Sequence, residues 1–114
     1  MKVLVTGSRV WPDPQAVDKV LTDLHPDLVI HGGCPTGADA HAEAWAMAND
    51  VRQDVHPADW SRYGRRAGYL RNLDMVSERP DLVVAFLHGD SKGTRMTIEL
   101  AQKAGLVVRV YAID

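Results

Sequence analysis

The run Asp81-Leu82-Val83-Val84-Ala85-Phe86-Leu87 constrains this chain more than any other stretch. After its first residue it has no polar position, so it cannot be a strand with one face in water. A strand of this kind is buried on both faces and lies centrally in a parallel sheet covered by helices on either side. Four other short apolar runs fit the same sheet: residues 2–6, ended by Gly7; residues 27–31; residues 51–55, less apolar and so an edge; and residues 106–113.

Helical patterns separate these runs. Asp13-Pro14 is a helix start, an N-cap followed by proline in the first turn, and Val17, Val20, Leu21 and Leu24 recur at helical spacing until His25-Pro26 stops them. From 38 to 49 alanine takes every second position, which permits close packing on a sheet, with Trp45 as the one large anchor. A basic approach, Arg62-Tyr63-Gly64-Arg65-Arg66, leads to a helix from about 67 to 78 whose apolar face includes Tyr69, Leu73 and Val76, broken by Pro80. Thr97, Leu100, Ala101 and Ala104 mark the buried stripe of the last helix, capped by Gly105. The pattern βαβαβαβαβ predicts one α/β domain over residues 1–114: five parallel strands and four helices. Right-handed crossovers with a reversal between the first and fourth strands give the order 3-2-1-4-5. A site then lies at the carboxyl ends of strands 1, 2 and 4, and all three run into glycine loops.

Charge and composition narrow the classes. A formal net charge of −2 argues against a nucleic-acid binder, so any basic site is local. The single cysteine, Cys34, excludes an intrachain disulfide and fits a reducing cytoplasm. No apolar run approaches the roughly 18 residues of a membrane span, and the N-terminus enters a strand pattern directly, so a cytoplasmic protein is expected.

The loop His31-Gly32-Gly33-Cys34-Pro35-Thr36-Gly37-Ala38-Asp39 follows the second strand and opens a helix, where glycines and the first helical amides can hold a phosphate. A tight turn without a ligand has the same signature. Gly32 to Gly37 has P-loop spacing, but Ala38-Asp39 stands in place of Lys-Ser/Thr, which excludes triphosphate hydrolysis. Gly7-Ser8-Arg9 lacks the further glycines of a dinucleotide fingerprint. Gly89-Asp90-Ser91-Lys92-Gly93-Thr94 repeats the loop logic: Gly93 allows close approach, Thr94 caps or bonds a phosphate oxygen, and Arg95 adds charge.

Arg71-Asn72 sits mid-helix, where the first expectation for an arginine is a solvated group; Arg9, Arg62, Arg65 and Arg66 can also line the cleft as bidentate phosphate or carboxylate ligands, and Arg9 and Arg71 are taken as the charged ligands. Asp39 can cap its helix or accept from a ribose hydroxyl. Cys34 has no partner residue close in sequence and reads as loop packing. The histidines at 25, 31, 41, 56 and 88 show no metal spacing and read as structural, so no metal or other cofactor is expected. Trp11 and Trp60 follow strands and suit either base stacking or ordinary packing.

With these residues in place the chain resembles the SLOG superfamily of Rossmann-like nucleotide-binding proteins, and within it a family of small proteins of bacteria and their phages. The resemblance rests on Gly7-Ser8-Arg9, the run from His31 to Asp39, Arg71-Asn72 with Met75, and Gly93-Thr94. It implies a Rossmann-like three-layer αβα sandwich and a nucleotide-like ligand held by Gly7, Ser8, Arg9, Gly32, Gly33, Thr36, Gly37, Ala38, Asp39, Arg71, Asn72, Gly93, Thr94 and Arg95. Relatives include the Lonely Guy phosphoribohydrolases, whose catalytic arginine Arg71 is similar to, and a DNA-processing protein that loads recombinase on single strands. The Lonely Guy glutamates are not matched, since Arg95-Met96-Thr97 stands in their place. The first expectation is therefore nucleotide binding. The alternative is nucleoside 5′-monophosphate hydrolysis by Arg71 with Asp39 or Glu99, and a weaker one is a single-strand DNA accessory role resting on the arginines from 62 to 71. The superfamily's pairing through helices implies a possible homodimer.

Overall fold

The first strand is paired on both sides, and that sets the layout. The computed structural model describes residues 1–113. The elements are β1 (Lys2–Gly7), α1 (Pro14–Leu24), β2 (Leu28–His31), α2 (Gly37–Ala48), β3 (Arg52–Val55), α3 (Trp60–Tyr63), α4 (Ala67–Ser77), β4 (Leu82–His88), α5 (Lys92–Lys103) and β5 (Val108–Ile113), with a 3-10 turn at Gly64–Arg66. Every strand pairing is parallel and the order is β3-β2-β1-β4-β5, as the alternation of runs predicts. β4, the most apolar run, lies between β1 and the edge strand β5.

The sheet has a core on each face. On one, Val3, Val5, Val29, Val84 and Phe86 pack against Val17 and Leu21 of α1 and Ala38, Ala42, Trp45 and Ala46 of α2. On the other, Leu4, Ile30 and Val83 pack against Met75 and Val76 of α4 and Ala101 of α5. Phe86 is fully buried between Trp11 and Tyr111, with ring centroids 5.3 and 5.4 Å away, and its burial contributes about 1.5–3 kcal/mol. Trp11 is thus a core residue. Among the described residues no helix is long and apolar enough to cross a membrane.

Local chemistry explains the helix ends. The Asp13 carboxylate accepts the Ala16 N–H at 3.2 Å, and His25 stops α1 with a φ of 51°. In α2 the alanines buried are every fourth, Ala38, Ala42 and Ala46, while Ala44 and Ala48 face water. Two expectations need correction. The basic approach to α4 is itself helical, made of the short helix α3, capped by Asp59, which accepts the Arg62 N–H at 3.1 Å, and the 3-10 turn that follows it. The face of α4 is also rotated: Tyr69 and Leu73 are exposed, and Ala67, Asn72, Met75 and Val76 are buried. Asn72 turns inward because its amide finds partners there, accepting from Arg71 Nε at 2.8 Å and donating to Met96 Sδ at 3.6 Å.

α2 is pressed against the end of β1. Ala38 N–H donates to the Ser8 carbonyl at 3.2 Å, and a Cβ on Gly7 would stand 2.5 Å from that of Ala38. Gly37 has a φ of +70°, and a Cβ there would fall 2.2 Å from the Ser8 carbonyl oxygen. Gly37→Ala therefore combines left-handed strain with a backbone collision, and is expected to cost about 2–4 kcal/mol. Denaturant unfolding of the variant against the parent protein measures it; a loss under about 1 kcal/mol would contradict this packing.

Candidate functional site

A cleft of about 600 Å³ opens at the carboxyl ends of β1 and β4, where the strand order reverses. Open parallel sheets hold ligands at this switch point. Gly7, Ser8, Arg9, Gly32, Gly33, Asp39, Arg71, Asn72, Gly93 and Thr94 line it. The remaining residues named from the sequence lie outside the wall. Thr36 is exposed and its hydroxyl donates to the Arg9 carbonyl at 2.8 Å; Gly37 and Ala38 sit beneath Ser8. Arg95 is more than half exposed, 3.6 Å from Asp90, and Glu99 is exposed further along α5.

The two glycine loops are built differently. In the first, three amides are engaged within the protein. Gly33 N–H donates to His31 Nδ1 at 3.0 Å, Cys34 N–H to Asp39 Oδ2 at 3.3 Å, and Ala38 N–H to Ser8. The buried His31 is itself held by Gln53 at 2.8 Å, a structural role of the kind expected for it. In the second loop Ser91 precedes α5 without capping it, and its hydroxyl is 2.7 Å from that of Thr94. The N–H groups of Lys92, Gly93 and Thr94 have no protein acceptor among the described residues, and a Cβ on Gly93 would meet open space.

Ser8 shapes the wall between the loops. Its hydroxyl donates to the His88 carbonyl at 3.0 Å and accepts the His88 N–H at 2.9 Å, while its own N–H donates to Phe86. Across from it, Arg71 is half-buried, unlike a solvated mid-helix arginine. Its Nε donates to Asn72 and its Nη1 to the Gly32 carbonyl at 3.1 Å. Those two bonds fix the guanidinium plane and leave other N–H groups for a ligand. A Cβ on Gly32 would fall 2.3 Å from Arg71 Nη1 and 3.1 Å from Asp39 Oδ2, so this glycine is the gap through which the two charged groups approach. Trp60, about half exposed, covers Gly68 and forms part of the cleft rim.

A family model described as the YspA, cpYpsA-related SLOG family, YAcAr, matches residues 1–63. The chain belongs to the YAcAr family. It is also 43% identical to the Gene 61 protein of Mycobacterium phage D29, a match covering 94% of this chain and 93% of that one. The superfamily expected from the glycine runs is the one found, and the phage relative agrees with a family of small proteins shared with phages. The family match takes in the first loop and Asp39; Arg71 and the α5 loop lie beyond it, within the reach of the D29 relative.

Asp39 is the most unusual group in this YAcAr cleft. It is 9% exposed, and burial lifts its carboxyl above the ordinary value of 3.8. The Cys34 N–H, His31, Arg71 and the Gly32 N–H oppose that rise without cancelling it. The folded protein therefore holds this proton longer than the unfolded chain. The stability tied to the group is fully present below the unfolded pKa and is lost as pH rises through the folded one. Asp39→Asn, which still accepts from Cys34, is expected to melt above the parent at neutral pH, with the gap closing toward pH 4 and below. Thermal melts across that range check it, and a variant destabilised at neutral pH would contradict the sign.

Proposed function

We propose that this YAcAr protein binds a phosphorylated nucleoside or nucleotide-derived ligand across the switch-point cleft, in the cytoplasm. The observation that carries the reading is the contrast between the loops: three consecutive amides, those of Lys92, Gly93 and Thr94, are free where the second loop lines the cleft, whereas in the first loop those of Gly33, Cys34 and Ala38 are engaged internally. The phosphate sits on the first turn of α5 with the Ser91 and Thr94 hydroxyls, where amide hydrogens and the helix dipole favour an anion. Arg71, oriented by Asn72 and Gly32, supplies positive charge to the ligand, and Arg9 lines the same wall. Asp39 accepts from sugar hydroxyls, and the Trp60 ring at the rim offers a face for a base. Family membership supports a nucleotide-related ligand in general terms.

One observation favours a second reading, hydrolysis of a nucleoside 5′-monophosphate. Cleaving an N-glycosidic bond needs a carboxylate to stabilise the oxocarbenium-like centre or activate water. Asp39, buried in the cleft and close to Arg71 across Gly32, fills that place; Glu99 lies outside the wall.

A thermal-shift panel of AMP, ADP-ribose and cyclic dinucleotides tests the binding reading. A ligand at a hundredfold excess over Kd stabilises by about 2.7 kcal/mol, roughly 10 °C or more for a domain this size. That shift is expected with at least one member and is expected to collapse in Arg71→Ala. Absence of any shift, with no ligand released on denaturation, overturns the proposal. Base release from AMP that disappears in Asp39→Ala establishes the hydrolase. Salt-sensitive binding to single-stranded DNA points instead to the exposed arginines 62, 65 and 66.

A further inference from the structure

We propose that Asp54, His56 and Glu78 form a binding site for a divalent transition metal, best matched to Zn²⁺, that ties the edge strand β3 to the C-terminal end of α4. His56 Nε2 lies 2.5 Å from Glu78 Oε2 and 3.2 Å from Asp54 Oδ2, and the three donor atoms all lie within 4.8 Å of one another. An imidazole nitrogen presents one hydrogen or one lone pair, yet two carboxylate oxygens converge on this one. Tetrahedral Zn²⁺ with ligands at about 2.0–2.1 Å spaces its donors about 3.3 Å apart. The cluster is already on that scale, and the His56–Glu78 pair would open by less than about 1 Å to admit the ion.

Each donor has its own anchor. Asp54 and His56 are two residues apart along an extended segment, so their side chains leave the same face. His56 follows the last paired residue of β3, and its N–H donates to the His31 carbonyl at 2.9 Å. Glu78 comes from the end of α4. Its N–H donates to Met75 at 3.3 Å, and its carbonyl accepts Lys2 Nζ at 2.7 Å. The side chains are 36%, 21% and 29% exposed in the order Asp54, His56, Glu78, so one side remains open for water as a fourth ligand. Two carboxylates and a neutral imidazole balance a dication. The nitrogen donor and the small number of oxygens disfavour Mg²⁺ and Ca²⁺, which take six or more oxygen ligands. None of the three donors lines the nucleotide cleft, although Pro57 and Ala58, next in the chain, do. The ion would therefore stiffen one wall of the cleft without touching the ligand.

Titration calorimetry and thermal melts on EDTA-stripped protein with ZnCl₂, and separately with MgCl₂, test the site. One equivalent of Zn²⁺ is expected to bind and raise the melting temperature to a plateau, while Mg²⁺ leaves it unchanged. Co²⁺ is expected to give the visible d–d absorption of a four-coordinate centre. Glu78→Gln keeps the size and an acceptor, and is expected to weaken Zn²⁺ binding at least about tenfold while circular dichroism shows the fold retained. His56→Ala is expected to remove the cobalt absorption. No saturable Zn²⁺ binding by the parent protein, or binding that survives both substitutions, overturns the proposal and leaves a hydrogen-bonded cluster only.

Discussion

The structure depends on the junction that Ser8 makes at the end of β1. Its hydroxyl is bonded twice to the backbone of His88, its N–H to Phe86, and its carbonyl accepts from both Trp11 and Ala38. One residue thus clamps β1 to β4 and receives the first turn of α2. The clamp works only because Gly7 and Gly37 carry no side chain where the backbones meet. Without that close approach Asp39, in the first turn of α2, would not be carried into the cleft beside Arg71.

From this follows a division of labour between two loops that look alike in sequence. The loop after β2 turns its polar groups on itself: His31, Gly33, Cys34 and Asp39 satisfy one another, and the product is a buried carboxylate and an aimed guanidinium. The loop after β4 leaves its helix amides open. Rigid internal bonding on one side and unmet donors on the other make a cleft with a fixed half and a receptive half, which is how pre-organised sites limit the ordering cost of binding.

The architecture was legible in the sequence because apolar runs such as residues 81–87 have one stable solution, burial on both faces in the middle of a parallel sheet. Part of the cleft lining was legible for a related reason, since glycine loops at the ends of β1, β2 and β4 must come together once the order is 3-2-1-4-5. The inward face of α4 was not. Hydropathy alone selects Tyr69 and Leu73, whereas Asn72 is buried through hydrogen bonds that a periodicity argument cannot register. Nor could spacing distinguish engaged amides from free ones, because the acceptors of the first loop are fixed by tertiary structure. The trio of Asp54, His56 and Glu78 escaped for the same reason: its members come from a strand end and a helix end, with no short motif to mark them.

The bond between Ser8 and His88 spans 80 positions of the chain, and the pairing of β1 with β4 nearly as many. During synthesis from the N-terminus, β1 can acquire β2 early, but its other edge stays open and apolar until β4 has emerged. Such non-local pairings close slowly, and an unpaired strand edge is where a growing chain finds wrong partners. The strand-order reversal that opens the cleft in the finished molecule is thus also its most vulnerable seam in the making. A nascent chain that has reached only β3 carries one wall of the cleft, without Arg71 or the start of α5 to face it.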